Sequence, residues 1–162
     1  MGLTQEVASF VAKTRYRDIP SDVIQLARGF ILDGLGVALA GSTDECSRIV
    51  QAQIRQMNGR EESAILGTSL SAPLAKAALA NGVAAHVMDY DDTQLSTSRE
   101  GVYGLLTHPT TPVLAAVLAV GEKKRVGGQE FLLAYILGVE IECRIDGGPT
   151  VGRVSLNDHQ IA

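Results

Sequence analysis

Three aspartates fall within four residues at Asp89-Tyr90-Asp91-Asp92, with His86 three positions ahead and Thr93 directly after. Carboxylates this close cannot all keep an ordinary pKa, because crowded like charges raise that of at least one. A second imidazole, His108, stands before Pro109, just ahead of an apolar stretch that opens at Thr111-Pro112. Proline biases the residue before it to an extended backbone. A group beside a helix N-terminus feels a positive potential, which favours neutral imidazole and attracts anions. A carboxylate cluster, a neutral histidine and an anion-attracting helix end in one segment suit abstraction of a proton next to a substrate carboxylate. Loss of water or carbon dioxide would follow. A positioned base of that kind contributes roughly 10²- to 10⁴-fold in rate.

Two plainer readings fit the same residues. In one, the aspartates only form turns and cap the next element. His108 is then a helix-cap residue, and His86 a packed helix histidine bonded to backbone or to an aspartate. In the other, His86 and Asp89, three apart at a helix end, join Asp91 and Asp92 around Mg²⁺. All-helical isoprenoid synthases use aspartate clusters in this way, but with a D-D-x-x-D spacing, usually twice. Here there is one cluster with a different spacing, and oxygen-rich Mg²⁺ sites are weakly defined by sequence.

The acidic cluster needs a helix behind it. Ala72 to Ala85 holds seven alanines, which predicts a helix capped by Ser71, with Pro73 tolerated in its first turn. The aspartates then lie at or just past its C-terminal end, where each carboxylate costs roughly 0.3–1 kcal/mol against the helix dipole. A cluster placed where it is locally unfavourable is a candidate for function. Residues 89–111, with Ser96, Thr97, Ser98, Gly101 and Gly104, have no clear period, and long loops in compact domains are often functional. Thr111-Pro112 restarts a helix with proline at its first position. Apolar spacing predicts further helices over 4–14, over about 21–40 with Ser21 as N-cap and Gly41 as stop, over 45–57 capped by Ser42, Thr43 or Asp44, and over 130–144. Gly34 and Gly36 weaken the second of these by roughly 1 kcal/mol each, which close packing of a neighbouring helix would offset. Ala64-Ile65-Leu66 is a short strand or an extended link. The expected fold is all-α: a bundle of about six helices without a convincing sheet.

The composition bounds the function. The chain has 162 residues, 46% hydrophobic, with a net charge of −4 and no tryptophan, so a core of Ala, Val, Leu and Ile is expected. Its longest basic run is Lys123-Lys124-Arg125, which argues against nucleic-acid binding. No contiguous apolar run approaches membrane-spanning length, and the N-terminus lacks the pattern of a signal peptide. Cys46 and Cys143 are isolated, without metal spacing. Two buried, reduced thiols are expected, as in a cytosolic protein.

The chemical residues fall into a known pattern. Ala85-His86-Val87-Met88-Asp89-Tyr90-Asp91-Asp92-Thr93 resembles the signature A-H-x-x-D-[FY]-D-D-T of the MmgE/PrpD family. Thr107-His108-Pro109-Thr110-Thr111-Pro112-Val113-Leu114 is similar to its following H-P-[ST]-x-x-V-L segment. Leu132-Leu133-Ala134-Tyr135-x-x-Gly138-x-Glu140-x-x-x-Arg144-Ile145 resembles the family helix that comes next, and Asp33-x-x-Gly36 also fits. The family includes 2-methylcitrate dehydratase, cis-aconitate decarboxylase and iminodisuccinate epimerase. The resemblance implies a helical domain carrying a smaller α+β domain, assembled as a homodimer in the cytoplasm, or in mitochondria if eukaryotic. It implies a small di- or tricarboxylate substrate and proton transfer at carbon without a metal or other cofactor. It assigns His108 as acid/base and Asp89 as its partner or a second acid/base. Thr93 would hydrogen-bond a substrate carboxylate, with Asp92 and His86 lining the same site.

The resemblance has edges. The family continues past the Arg144 helix into a Gly-aromatic-His segment that supplies a second catalytic histidine. Here Gly148-Pro149 echoes the approach, but no such triplet follows, and His159 is out of register. The family's catalytic lysines would lie beyond Ala162. The expectation is a partial helical domain over 1–145 and a divergent or truncated tail over 146–162, inactive alone. Its exposed apolar helix faces would favour association. A helical remnant or interaction protein is the non-enzymatic alternative.

Overall fold

A computed structural model describes residues 2–57, 59–94, 97–98, 101–102 and 106–146, with backbone only at 97, 98, 101, 102, 144 and 146. Ser96, Gly104, Gly148-Pro149, His159 and the rest of the tail after Asp146 lie outside the described residues. Among the described residues six α-helices carry the fold: α1 (Leu3–Lys13), α2 (Ser21–Gly41), α3 (Glu45–Gln56), α4 (Leu74–His86), α5 (Thr110–Lys124) and α6 (Gly128–Asp146). A single 3₁₀ turn, Tyr16–Asp18, links α1 to α2. The all-α expectation holds, with two small additions. The strands β1 (Ser63–Ala64) and β2 (Ser71–Ala72) pair antiparallel, as do β3 (Thr97–Ser98) and β4 (Gly101–Val102).

The core forms in two parts. Ile19, Ala27, Leu114, Tyr135 and Ile136 are buried together, with Val23, Ile31, Leu35 and Phe131 packed against them. Ile54, Ile65, Ala72, Ala77 and Ala80 form the second cluster. Central α4 lies against α2, α3 and α5. Small residues set these approaches. Gly41 is buried at the end of α2, where a Cβ would collide with the Ala84 carbonyl oxygen. Gly34 is packed as expected, against Thr110 and Leu114, but a Cβ at exposed Gly36 would meet nothing within 4 Å among the described residues, so no packing there offsets its cost.

The β1–β2 hairpin is too short to hold itself, and two side chains anchor it. Buried Asn81 of α4 accepts from the Leu66 N–H at 2.9 Å and donates to the Ala64 carbonyl at 3.1 Å. Glu122 of α5 accepts from Ser63 Oγ and the Ala64 N–H, each at 2.8 Å. This pairing also corrects the start of α4. Ser71 belongs to β2, so Pro73 occupies the N-cap position without a side-chain cap. Likewise Pro20 rather than Ser21 precedes α2, and α5 begins at Thr110, which puts Pro112 third in the helix. Among the three candidates for α3, Asp44 is the cap, accepting from the Cys46 N–H at 2.8 Å.

Two further expectations are corrected. Neither cysteine is in a disulfide among the described residues, but Cys46 is exposed and Cys143 only half-buried. Helix α2 is long and apolar enough to cross a membrane by length and composition, with a mean hydropathy of 1.6 in its most apolar window. Asp22, Gln25, Arg28 and Asp33 break its contiguous runs, which is why run length missed it. One side of α2 packs on α4, α5 and α6, while Leu26, Leu32 and Leu39 stay exposed.

Candidate active site

Helix α4 ends at His86, and the acidic segment follows at once. The chain reverses at Asp89, whose φ of 54° is left-handed, a conformation that Asp adopts more readily than most residues. The reversal separates the aspartates by environment. Asp89 is turned outward, with a side chain 80% exposed, whereas Asp91 is tucked under the loop with a side chain 1% exposed.

Asp91 is the centre of the cluster. His86 Nδ1 lies 3.1 and 3.0 Å from its two oxygens, and Thr111 Oγ1 donates to Oδ2 at 2.6 Å. Burial alone would raise the Asp91 pKa, but the hydrogen bonds from Thr111 and His86 outweigh it and hold the carboxyl below its ordinary value. His108 Nδ1 lies 3.4 Å from the same Oδ2, out of line for a hydrogen bond, and His108 Nε2 lies 3.8 Å from Asp89 Oδ1. The two imidazoles meet edge to face, with centroids 4.7 Å apart.

Asp92 has a different task. It accepts from the Thr110 N–H at 3.2 Å and from Thr110 Oγ1 at 2.7 Å. It thereby caps α5 from outside, where Pro109 offers no side-chain cap. Thr110 Oγ1 is also 2.6 Å from the Tyr135 hydroxyl. Since the Thr110 proton goes to Asp92, Tyr135 donates. Burial, and then the Asp92 charge, outweigh the lowering effect of the Thr110 hydrogen bond and push Tyr135 up to about 12, so that it stays a donor. Adjacent threonines thus grip adjacent aspartates and fix His108 two residues ahead of α5.

Of the residues singled out in the sequence, His86, Asp89 and His108 come together around Asp91, and Asp92 lies beside them. Thr93 is exposed at the edge of the loop. Sequence reasoning gave Thr110, Thr111 and Tyr135 no part in the site, and it used Asp91 only in the Mg²⁺ reading. The pairing of two hydroxyls with two carboxylates was the available signal. One ligand atom each from His86, Asp89, Asp91 and His108 falls within 4.8 Å of the others.

A family model for the MmgE/PrpD N-terminal domain matches residues 5–162. The chain belongs to the MmgE/PrpD family. It is 29% identical over 148 residues to human cis-aconitate decarboxylase, covering 88% of this chain and 29% of that protein. It is 28% identical over 148 residues to the mouse enzyme of the same name, again covering 88% of this chain. It is 27% identical over 158 residues to cis-aconitate decarboxylase of Aspergillus terreus, covering 94% of this chain and 29% of that protein. The chain therefore spans less than a third of the curated relatives it matches.

Proposed function

We propose that this chain is the opening part of the helical domain of a lyase that acts on small di- or tricarboxylates. The reaction is proton transfer at carbon coupled to loss of carbon dioxide or water, without a metal. The observation that carries this reading is the convergence of His108 Nε2 and exposed Asp89, 3.8 Å apart, over the buried Asp91 carboxylate. A base and a second acid/base then face the open side of the cluster, where a substrate can enter. His108 is the acid/base and Asp89 its counterpart. Thr93, at the rim, takes a substrate carboxylate. His86 lines the site, and Asp92 contributes by holding α5. The names of the relatives favour decarboxylation of cis-aconitate. The remaining catalytic groups come from sequence outside this chain. The assembly is a homodimer in the cytoplasm, or in mitochondria if eukaryotic, and size-exclusion mass measurement tests the dimer.

The test uses the intact polypeptide that carries this sequence, identified by its mass. Carbon dioxide release from cis-aconitate and dehydration of 2-methylcitrate are measured, and EDTA is expected to leave turnover unchanged. His108→Ala should lower kcat by roughly 10²- to 10⁴-fold with the helical circular dichroism retained. A fall in stability alone would make His108 a cap residue. Stoichiometric bound metal would favour the aspartate-cluster reading. An intact mass near 17.1 kDa with no turnover would leave a helical interaction protein.

A further inference from the structure

We propose that Asp91 is the positioning residue for His108: it holds the Nδ1–H tautomer, which leaves the Nε2 lone pair free to take a proton. This rests on the reading of His108 as the acid/base. Three observations lead to it. The first is that Asp91 is the buried carboxylate of the cluster, 1% exposed, whereas Asp89 is 80% exposed. A solvated carboxylate turns freely and imposes little on a neighbouring ring; a buried one with two fixed donors does not turn. The second is that those donors, His86 Nδ1 and Thr111 Oγ1, approach from α4 and α5. They fix the carboxylate between the two helices that carry the site.

The third concerns His108 itself. Its Nδ1 is buried and has no hydrogen-bond partner among the described residues, yet it lies 3.4 Å from Asp91 Oδ2. A buried ring nitrogen without a partner is costly, and Asp91 Oδ2 needs only a slight turn of the ring to supply one. Catalytic hydrogen bonds commonly tighten in this way when substrate binds. With Nδ1–H directed at Asp91, Nε2 is left on the side of Asp89, where the site opens. The pattern is that of a base oriented by a carboxylate behind it. Asp91 touches neither substrate nor reacting atoms; it acts through His108.

The tautomer is read by ¹⁵N chemical shifts of the histidine rings in the intact protein. The His108 signals are assigned by their loss in His108→Gln. The wild type should show protonated Nδ1 and unprotonated Nε2 at neutral pH. Asp91→Asn should mix the tautomers and lower kcat by about 10²-fold, with KM changed far less. Thr111→Val, which releases one of the two donors, should do the same more weakly. If wild-type His108 carries its proton on Nε2, the inference is overturned whether or not any variant folds. It is equally overturned if Asp91→Asn folds and leaves the tautomer unchanged. If the wild type turns over no carboxylate but shows Nδ1–H, the lyase reading fails and the assignment of Asp91 stands.

Discussion

Replacing Gly34 by alanine pits two opposed effects against each other, and the structure decides the sign. In an exposed helix interior the change is favourable by about 1 kcal/mol. At Gly34 the new Cβ would lie 2.8 Å from Thr110 Cγ2 and 2.9 Å from Leu114 Cδ2, inside the roughly 3.5–4.0 Å that carbon atoms accept. The leucine methyl can rotate away. Thr110 cannot, because turning its side chain breaks the Oγ1 bonds to Asp92 and Tyr135 at 2.7 and 2.6 Å. Overpacking of this kind costs typically about 1–3 kcal/mol. Against the propensity gain, the net loss is about 0–2 kcal/mol, or a Tm lower by up to roughly 8 °C for a chain of this size. Gly36→Ala, with nothing within 4 Å, is the control and should gain up to about 1 kcal/mol. Thr110→Ser removes the offending methyl and keeps both hydroxyl bonds. The Gly34→Ala/Thr110→Ser double variant should therefore be more stable than the sum of the singles by about 1 kcal/mol. Thermal and urea unfolding followed by circular dichroism measure all four proteins. Additive effects, or a Gly34→Ala protein as stabilised as Gly36→Ala, would refute the reasoning.

Further outcomes are expected elsewhere. Asn81→Ala strands the half-buried Leu66 N–H and Ala64 carbonyl and should cost about 1–3 kcal/mol by urea unfolding, below the roughly 2–6 expected for two fully buried unpaired groups; a loss below the cost of one bond would mean that Glu122 alone secures the hairpin. Asp44→Ala removes the cap of α3 and should cost about 1 kcal/mol, whereas Asp44→Asn should cost much less. Because the folded pKa of Asp91 lies below its unfolded value, its stabilisation is complete above about pH 4 and is lost as pH falls through the folded value. Urea unfolding between pH 7 and pH 2 should accordingly show a shallower acid limb for Asp91→Asn than for the wild type.

What the sequence disclosed depended on how local the cause was. The alanine-rich helix and the acidic cluster just past its end follow from residues within one or two turns, and both were legible. So was His108 beside a helix N-terminus. The start of α4 was misplaced because Ser71, a good cap by type, is taken by β2, whose partner strand lies eight residues earlier. A two-residue ladder leaves no periodicity to detect. The three aspartates could not be ranked from sequence, since what distinguishes Asp91 from Asp89 is burial created by a left-handed turn and by threonines on another helix. The family signature paired His108 with Asp89 and left Asp91, the buried carboxylate that lies against both imidazoles, without an assigned role.

The grip of Thr110 and Thr111 on Asp92 and Asp91 ties off both ends of the segment from Thr93 to Pro109. Once a loop is closed at its base, lengthening it adds only about 0.6 kcal/mol per doubling. Insertions and deletions in this stretch are thereby uncoupled from the geometry of the histidines and carboxylates at its foot. The segment is a natural grafting point: evolution or an engineer can exchange it to reshape what reaches the cluster, while the histidines and carboxylates keep their places.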